Sequence, residues 1–283
     1  MIFSKLAIIG PGLLGGSIAL AARAKNPAAR ISVWARRDEA ARDVEKRGIA
    51  DFASADLKAV CSGADLVVFC VPIGAMASLA EEMAAFVSPD ALVTDVGSVK
   101  VPVVESLAPI FAGKARFVGS HPMAGSEQTG IEASRADLFE DTVCIITPEK
   151  ETLAQDVART REFWTMLGCR LRELSPAEHD KVIALVSHLP HLVAATLVNL
   201  VCSQNADSLN FSGNGFRDTT RVASGSPGMW AEILGGNREQ VRKSMQAMIA
   251  QLQQVVDFMD DDAKMRQFLT SAKNRRDELK KEK

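Results

Sequence analysis

The stretch IIGPGLLGGS, residues 8–17, decides the fold of this chain. Gly10, Gly12 and Gly15 form the spacing G-x-G-x-x-G directly after an apolar β-rich run and at the start of a helical pattern. In that context the first glycine makes a tight turn, the second lets a diphosphate approach the backbone, and the third lets helix and strand pack closely. Free N–H groups at the helix start favour an anion. The stretch therefore predicts a dinucleotide-binding site.

The pattern around this loop indicates how the chain is organised. Short β-rich runs, KLAIIG, RISVWA, ADLVVFCVP, ALVTDV, RFVGSHP and TVCIITP, alternate with helical patterns, and CRLREL is a last short strand. Such alternation is typical of βαβ units around a mostly parallel sheet. From Ser175 onward the pattern is helical, with Pro176 at the first helical position. We predict an α/β plus all-α protein, with a Rossmann dinucleotide-binding domain over residues 1–173 and a helical domain over residues 174–283.

Composition limits the partners that can be expected. The 283 residues carry a formal net charge of −2 without a basic patch, so nucleic acid is not expected. No uninterrupted apolar run reaches the roughly 20 residues of a membrane-spanning helix, so no membrane partner is expected either. The five cysteines are scattered and never form a C-x-x-C pair. They predict reduced thiols in a cytoplasmic protein and argue against a disulfide frame.

The end of the second predicted strand, VWARRDE, indicates which dinucleotide is bound. NAD-binding versions of this fold carry an acid about 20 residues past the glycines, which binds the ribose 2′-OH. Ala35 stands at that position, and Arg36 and Arg37 follow. Because an arginine can pair with a 2′-phosphate, the sequence favours NADP, with NAD possible if the arginines simply occupy an exposed loop. The predicted cofactor residues are Gly10, Gly12, Leu13, Leu14, Gly15, Ala35, Arg36, Arg37, Val71, Pro72 and Ser98.

The stretch VSHLPH, residues 186–191, holds two of the four histidines of the chain. His188 and His191 share roughly one face of a helix, but a metal site needs more ligands and no cysteine pair is near. We therefore predict no metal. Pro190 cannot donate a hydrogen bond to Val186, so a kink is expected there. The surrounding helix is apolar on all sides, which suggests a domain core or a dimer interface.

Several motifs resemble those of one enzyme family. DVGSVK, GSHPMAGSE, SPAEHD, VSHLPH, GNGFRDTTR and GMW follow one another in this order and, with the glycine loop, span most of the chain. They resemble the prephenate/arogenate (cyclohexadienyl) dehydrogenases of tyrosine biosynthesis. The resemblance implies an N-terminal Rossmann domain and a helical domain that forms a homodimer. It implies a cyclohexadienyl substrate that loses a hydride to the nicotinamide, a hydroxyl proton, and its ring carboxylate as CO2.

The resemblance also assigns roles to residues of this sequence. His121 matches the base that takes the hydroxyl proton, a task that suits histidine near neutral pH. Ser98 matches the serine that hydrogen-bonds this histidine and the reacting end of the substrate. Arg221 matches the arginine that binds the side-chain carboxylate, where a guanidinium can form a bidentate pair. The other substrate residues that it implies are His191, Ser187, Glu127, Asp218 and Trp230.

Two other functions remain open at this point. A dehydrogenase of the β-hydroxyacid type shares the two-domain plan and uses a lysine early in the helical domain, where Lys181 lies. An inactive NADP-sensing protein would keep the glycine loop as well. The first alternative leaves SHPMAGSE and RDTTR unexplained, and the second does not predict that His121, Ser98 and Arg221 occur together. The sequence does not distinguish prephenate from arogenate, which differ by a keto and an amino group.

Overall fold

The computed structural model describes residues 3–125 and 128–279. A six-stranded parallel sheet has the strand order β3-β2-β1-β4-β5-β6, the order of a doubly wound dinucleotide-binding fold. Its strands are β1 (Lys5–Ile9), β2 (Arg30–Trp34), β3 (Phe52–Ser54), β4 (Leu66–Phe69), β5 (Leu92–Asp95) and β6 (Arg116–Phe117). β1 and β4 are fully apolar and buried apart from Lys5, as expected for central strands that are covered on both faces.

The helices of this half are α1 (Leu13–Lys25), α2 (Asp38–Lys46), α3 (Leu57–Cys61), α4 (Ile73–Met83), α5 (Val101–Phe111) and α6 (Ala154–Met166). Two apolar clusters accompany the sheet, one including Ile8 and Trp164 and the other including Ile9 and Phe69. Because neighbouring residues of β1 belong to different clusters, the sheet has a core on each face. The carboxyl ends of the strands remain the edge at which ligands bind in such folds.

A second sheet, of three strands, follows the parallel sheet along the chain. It contains β7 (Gly119–Pro122), β8 (Val143–Thr147) and β9 (Arg170–Glu173) in the order β7-β8-β9. β7 runs antiparallel to β8, and His121 pairs with Ile145. The predicted single strand RFVGSHP is thus two strands in two sheets. The change of sheet at Val118 is the step that carries His121 away from the parallel sheet.

The helical half begins as the sequence predicts. Ser175 caps α7 (Pro176–Ile183) in a reciprocal capping box with Glu178. A π turn, Ala184–His188, follows, and then α8 (Leu189–Gln204), α9 (Asn214–Thr220), α10 (Pro227–Gly236), α11 (Arg238–Asp257) and α12 (Asp262–Glu278). Short 3₁₀ helices occupy Ile131–Ala133, Ala206–Phe211 and Arg221–Ser224.

The apolar helical run Pro176–Gln204 is less buried than its composition suggests. Only His191 and Ala194 of α8 are buried, while Leu185 and Leu200 each expose about half of their surface. By length and composition alone this run could cross a membrane, a test that the core helix of a soluble protein also passes. The expected absence of a membrane partner therefore stays a prediction, and the exposed apolar surface fits the interface alternative better than the core alternative.

The described chain divides into two compact units, residues 1–238 and residues 239–283. The first unit includes both sheets and the helices up to α10, and the second consists of α12 and nearly all of α11. This division lies further along the chain than the predicted domain boundary between residues 173 and 174. Asn237 donates a hydrogen bond to the backbone of Asp180 within the first unit, so the early helices are compact with the sheets. The predicted boundary remains a prediction.

Candidate active site

A cavity of about 660 Å³ lies at the carboxyl ends of the parallel strands. Four loops that follow β1, β4, β5 and β7 line one side, and the π turn, the start of α8, the 3₁₀ helix Arg221–Ser224 and α10 line the other. Among the predicted site residues it contains Gly12, Leu13, Leu14, Val71, Pro72, Ser98, His121, Ser187, His191, Arg221 and Trp230. Residues from both predicted domains therefore meet around one space.

The glycine loop has the geometry of a cradle for a diphosphate. Gly10 has a φ of +109°, and a Cβ there would lie 2.7 Å from the carbonyl oxygen of Cys70. A Cβ on Gly15 would lie 1.9 Å from the carbonyl oxygen of Gly10, so α1 packs tightly on the turn. A Cβ on Gly12, in contrast, would meet nothing within 4 Å. Protein packing does not require glycine at position 12, but a ligand that approaches the backbone there does, so the loop fits a dinucleotide.

The end of β2 lies outside the cavity lining. Ala35 is buried, and its N–H donates to the carbonyl oxygen of Ser54. Arg36 and Arg37 are both exposed, and Arg37 is the N-cap of α2. The buried position thus carries no acid, and the two cations lie beside a helix N-terminus. This arrangement is open to a phosphate as well as to water.

The strand that carries His121 is fixed to the end of β5 by a buried polar cluster. Ser120 Oγ accepts a hydrogen bond from Trp164 Nε1 at 3.0 Å and donates to the carbonyl oxygen of Asp95 at 2.6 Å. Its hydroxyl also lies 2.8 Å from that of Thr94. Lys100, which is fully buried, pairs with the Asp95 carboxylate and donates to the carbonyl oxygen of Ser120 at 2.9 Å. The hydroxyl and the carbonyl oxygen of Ser120, the residue before His121, are therefore both hydrogen-bonded.

His121 is the first member of a buried chain of polar side chains. Its Nδ1 lies 2.9 Å from Nε2 of His179, and Nδ1 of His179 lies 2.8 Å from Oδ1 of Asp180. Asp180 accepts hydrogen bonds from the backbone N–H groups of Lys100 and Val101 at the start of α5. Burial, with His179 and Lys100 nearby, holds the pKa of His121 well below its usual range. His121 is therefore neutral near pH 7 and can act as a base.

A π turn lies just before Pro190, the position at which we predict a kink. The N–H of Leu189 donates to the carbonyl oxygen of Ala184, five residues back, which is the hydrogen bond of a π turn. Pro190 has no N–H to offer Val186, so the wider turn accommodates the proline without a break in the helix. π turns of this kind frequently occur at functional sites. The wall of the cavity that carries Ser187 and His191 starts from this turn.

The rings of His191 and Trp230 stack face to face in the wall of the cavity. Their ring centroids are 3.5 Å apart and their planes differ by 12°. Gly225 lies against this pair, since a Cβ there would be 2.5 Å from the indole nitrogen of Trp230. Such a stacked surface can hold a flat six-membered ring.

The remaining predicted substrate residues differ in whether they line the cavity. Arg221 is at the start of a 3₁₀ helix, is exposed, and lines the cavity. Asp218 is exposed on α9 and does not line the cavity. Glu127 lies outside the described residues. The roles of these residues, like those of Ser98 and Ser187, remain predictions.

His188 differs from His191 in both position and surroundings. It is fully buried, and its Nδ1 lies 3.2 Å from Nδ2 of Asn237, a partner far away in the sequence. Burial lowers the pKa of His188 to about 4, so it is neutral near pH 7. Nδ1 then accepts the hydrogen bond from the Asn237 amide. His188 supports the wall of the cavity and does not line it.

Sequence reasoning assigned no role to His179, Asp180 and Lys100. His179 and Asp180 lie inside the quoted motif SPAEHD and Lys100 ends DVGSVK, so the motifs contained them. These residues could have been recognised because they are ionisable, whereas most of their neighbours in the motifs are apolar or cap a helix. Ionisable side chains are almost never fully buried unless they are paired, and these three pair with one another or with Asp95.

Comparisons with known proteins agree with this geometry. A family profile described as "Prephenate dehydrogenase, nucleotide-binding domain" matches residues 18–173, and "Prephenate dehydrogenase, dimerization domain" matches residues 175–273. The chain is 34% identical over 281 residues to a cyclohexadienyl dehydrogenase of Zymomonas mobilis, across 97% of this chain and 96% of that protein. It is also 34% identical over 278 residues to a prephenate dehydrogenase of Bacillus subtilis, across 96% of this chain and 75% of that protein.

A solved structure is similar over the same extent. The crystal structure of prephenate dehydrogenase from A. aeolicus in complex with hydroxyphenyl propionate and NAD+ matches with a TM-score of 0.91 and 30% identity, and 98% of each chain is covered. These matches do not favour the β-hydroxyacid dehydrogenase or the inactive sensor. With matching profiles from residue 18 to residue 273 and relatives of similar length, the chain belongs to the prephenate dehydrogenase family.

Proposed function

We propose that the chain catalyses the oxidative decarboxylation of a cyclohexadienyl substrate, prephenate or arogenate, in tyrosine biosynthesis. The observation that carries the proposal is the position of His121, a neutral buried histidine that lines the same cavity as the glycine loop and Arg221. A base, a dinucleotide cradle and a carboxylate-binding cation are the three elements that this reaction requires.

Each element acts on a different part of the substrate. His121 accepts the proton of the ring hydroxyl, and Ser98 hydrogen-bonds the same end of the substrate. Arg221 binds the side-chain carboxylate, and the flat surface of His191 and Trp230 supports the ring, with Ser187 beside it. With the hydroxyl proton accepted and the side-chain carboxylate held, loss of the C4 hydride to the cofactor and of the ring carboxylate as CO2 would leave an aromatic ring. Asp218 orients the neighbouring cation, and Glu127 matches in sequence the family residue at the pocket entrance.

The cofactor that fits the glycine loop is a nicotinamide dinucleotide. Gly12, Leu13 and Leu14 with the start of α1 would hold its diphosphate, and Val71, Pro72 and Ser98 line the same cavity. When bound, the nicotinamide ring supplies the acceptor for the substrate hydride. We propose a preference for NADP over NAD, because Ala35 provides no acid and Arg36 and Arg37 offer two exposed cations at the end of β2.

One assay tests both the substrate and the cofactor. The purified protein is given prephenate or arogenate, each with NAD or NADP, and kcat/KM is measured from reduced cofactor in all four combinations. We expect turnover with at least one substrate and a higher kcat/KM with NADP. Turnover of 3-hydroxy acids instead would refute the reaction, and a higher kcat/KM with NAD would refute the cofactor preference alone.

We further propose a cytoplasmic homodimer formed through the helical domain that starts at residue 174. The support is the exposed apolar surface of the run Pro176–Gln204, including Leu185 and Leu200, since burial of such a surface against a second copy is favourable. Sedimentation velocity of the wild type and of Leu200→Asp measures the oligomeric state of each. A dimer that dissociates in the variant is expected, and a monomeric wild type would contradict the proposal.

A further inference from the structure

We propose that His179 and Asp180 are positioning residues that set the tautomer of His121, so that Nδ1 carries the proton and Nε2 is left as the acceptor. The effect of this tautomer on catalysis rests on the proposed function, whereas the tautomer itself does not. Its structural basis is the hydrogen-bonded chain from α5 through Asp180 and His179 to His121.

The direction of the chain follows from its anchored end. Asp180 Oδ1 accepts from the backbone N–H of Lys100 at 2.7 Å, and Oδ2 accepts from that of Val101 at 2.9 Å. Backbone N–H groups can only donate, so both oxygens of Asp180 are acceptors. Nδ1 of His179, at 2.8 Å from Oδ1, must then be the donor.

The same reasoning fixes the next hydrogen bond. A neutral imidazole carries one proton, so His179 with a proton on Nδ1 has an unprotonated Nε2. That nitrogen lies 2.9 Å from Nδ1 of His121 and can only accept. Burial lowers the pKa of His179, and this favours its neutral form, which carries a single ring proton. His121 is therefore the donor through Nδ1, and its Nε2 is left with a lone pair.

This tautomer is the one that the proposed proton transfer needs. The O–H bond of the substrate hydroxyl breaks, a new N–H bond forms at Nε2 of His121, and the hydride leaves to the oxidised nicotinamide of the proposed reaction. The imidazolium that results keeps its Nδ1–H bonded to His179. Through that ring the carboxylate of Asp180 faces the new positive charge, an orienting arrangement that aspartate and histidine also provide in hydrolases.

Other charged or titratable groups surround His121 and bear on its pH dependence. They are Asp95 and Lys100 at the β5–α5 junction, Cys144 on β8, His179 and Asp180 on α7, and His188 in the π turn. Lys100 opposes protonation of His121, while Asp180 favours it through His179. Each substitution used to test the pH dependence should therefore change only one of these charges.

Nitrogen NMR on the unmodified protein tests the tautomer without any turnover. The chain has four histidines, so a long-range ¹H–¹⁵N spectrum contains four imidazole patterns, and His121→Asn identifies that of His121. We expect protonated Nδ1 and unprotonated Nε2 for His121 near pH 7. A protonated Nε2 would overturn the proposal, whether or not the protein turns over prephenate. Absence of turnover with the expected tautomer would instead refute the proposed function.

Substitutions at His179 test the catalytic consequence. His179→Leu removes the acceptor for His121, and we expect kcat to fall at least about 10-fold with little change in KM. His179→Gln offers an amide oxygen as acceptor and should recover part of kcat and the Nδ1–H pattern. Equal kcat in His179→Leu and wild type would overturn the positioning role.

Two substitutions on α7, each of which removes one negative charge, distinguish a positioning role of Asp180 from a structural role. Asp180→Asn removes the carboxylate that faces the imidazolium, and Glu178→Gln removes one negative charge from an exposed position of the same helix. In Asp180→Asn the acid limb of kcat/KM should move to lower pH, because the charged form of His121 loses support. Glu178→Gln should leave the limb and kcat unchanged. The same limb in Asp180→Asn and wild type would count against the proposal.

Discussion

Gly12 and Gly15 are three residues apart, yet different physical constraints require glycine at each. A Cβ on Gly15 would overlap the carbonyl oxygen of Gly10, whereas a Cβ on Gly12 would meet no protein atom within 4 Å. The constraint at position 15 belongs to folding, and the constraint at position 12 belongs to the ligand. The sequence motif predicts both glycines but does not separate these two causes.

The two alanine variants should therefore fail in different assays. Gly15→Ala should lose about 3 kcal/mol or more of unfolding free energy, because neither backbone can yield in so tight a contact. Gly12→Ala should keep the wild-type Tm and bind the dinucleotide at least about 10-fold more weakly, which corresponds to roughly 1.4 kcal/mol. Thermal unfolding and cofactor titration provide the two measurements. Wild-type affinity in a folded Gly12→Ala would show that the loop does not hold the diphosphate.

Arg221 is the residue for which substrate binding and turnover should separate most clearly. Arg221→Ala removes the proposed partner of the side-chain carboxylate and should raise KM for the cyclohexadienyl substrate by about 10-fold or more. Arg221→Lys keeps the charge but not the planar fork, so an intermediate KM is expected. Steady-state kinetics with saturating cofactor give the values. An unchanged KM in Arg221→Ala would remove this residue from the proposed site.

At the scale of elements, the π turn Ala184–His188 is the feature that a periodic pattern could not predict. The sequence indicates that Pro190 disturbs the helix, and a kink is the usual consequence. A missing N–H can be accommodated by a wider turn as well as by a bend, and the structure has a π turn just before this proline. The choice depends on what α8 packs against, and a local pattern does not contain that information.

Restoring the N–H at position 190 should change the cavity wall. Pro190→Val keeps apolar bulk beside the cavity and lets residue 190 donate to Val186, which favours an ordinary α-helical turn. Ser187 and His191 would then turn relative to each other, so KM should rise several-fold while Tm stays the same or rises. Pro176→Ala, at the first turn of α7, is the matched control and should leave KM unchanged. Equal KM values in all three proteins would show that the π turn does not position these side chains.

Strand boundaries show the same limit of local patterns. The central strands are continuous apolar runs that alternate with helical patterns, so a mostly parallel sheet is predictable. β3, only three residues long, has no run of its own, and the change of sheet at Val118 depends on the distant partner β8. The sequence predicts that His121 lies at the end of a strand, and β7 does end at Pro122. The local pattern does not predict that this strand belongs to a second sheet.

At the scale of the whole molecule, buried neutral histidines make stability depend on pH. The pKa of His188 falls from 6.5 to about 4, and the pKa values of His121 and His179 are also lowered. Well above pH 6.5 these histidines are neutral in both states and contribute no slope. Below it the unfolded chain binds protons first, so the folded state loses stability as pH falls toward the lowered pKa.

For His188 alone this loss amounts to about 3 kcal/mol between pH 6.5 and pH 4. Denaturant unfolding at a series of pH values should show the unfolding free energy fall across this window. His188→Asn keeps an amide for Asn237 but cannot titrate there, so its curve should fall less steeply, whatever its stability at pH 7. Parallel curves for both proteins would mean that His188 is not held neutral in the fold.

The active site as a whole was partly accessible from the sequence. The motifs named His121, Ser98, His191, Trp230 and Arg221, and these residues do line one cavity. Asp218, which the resemblance also implies, is exposed on α9 and does not line the cavity. His179 and Asp180 act through hydrogen bonds that join distant elements, and such partners become visible only once α5 and α7 are side by side.

The central claim is that His121 takes the proton of the substrate hydroxyl in the cavity. His121→Asn keeps an amide N–H near the position of Nδ1, so the bond to His179 and the fold should survive, while the accepting Nε2 is gone. The decisive measurement is kcat of this variant with saturating substrate and cofactor, alongside the affinity for each. We expect wild-type affinities and a loss of kcat of at least about 10²-fold. A kcat within a few-fold of wild type would contradict the claim.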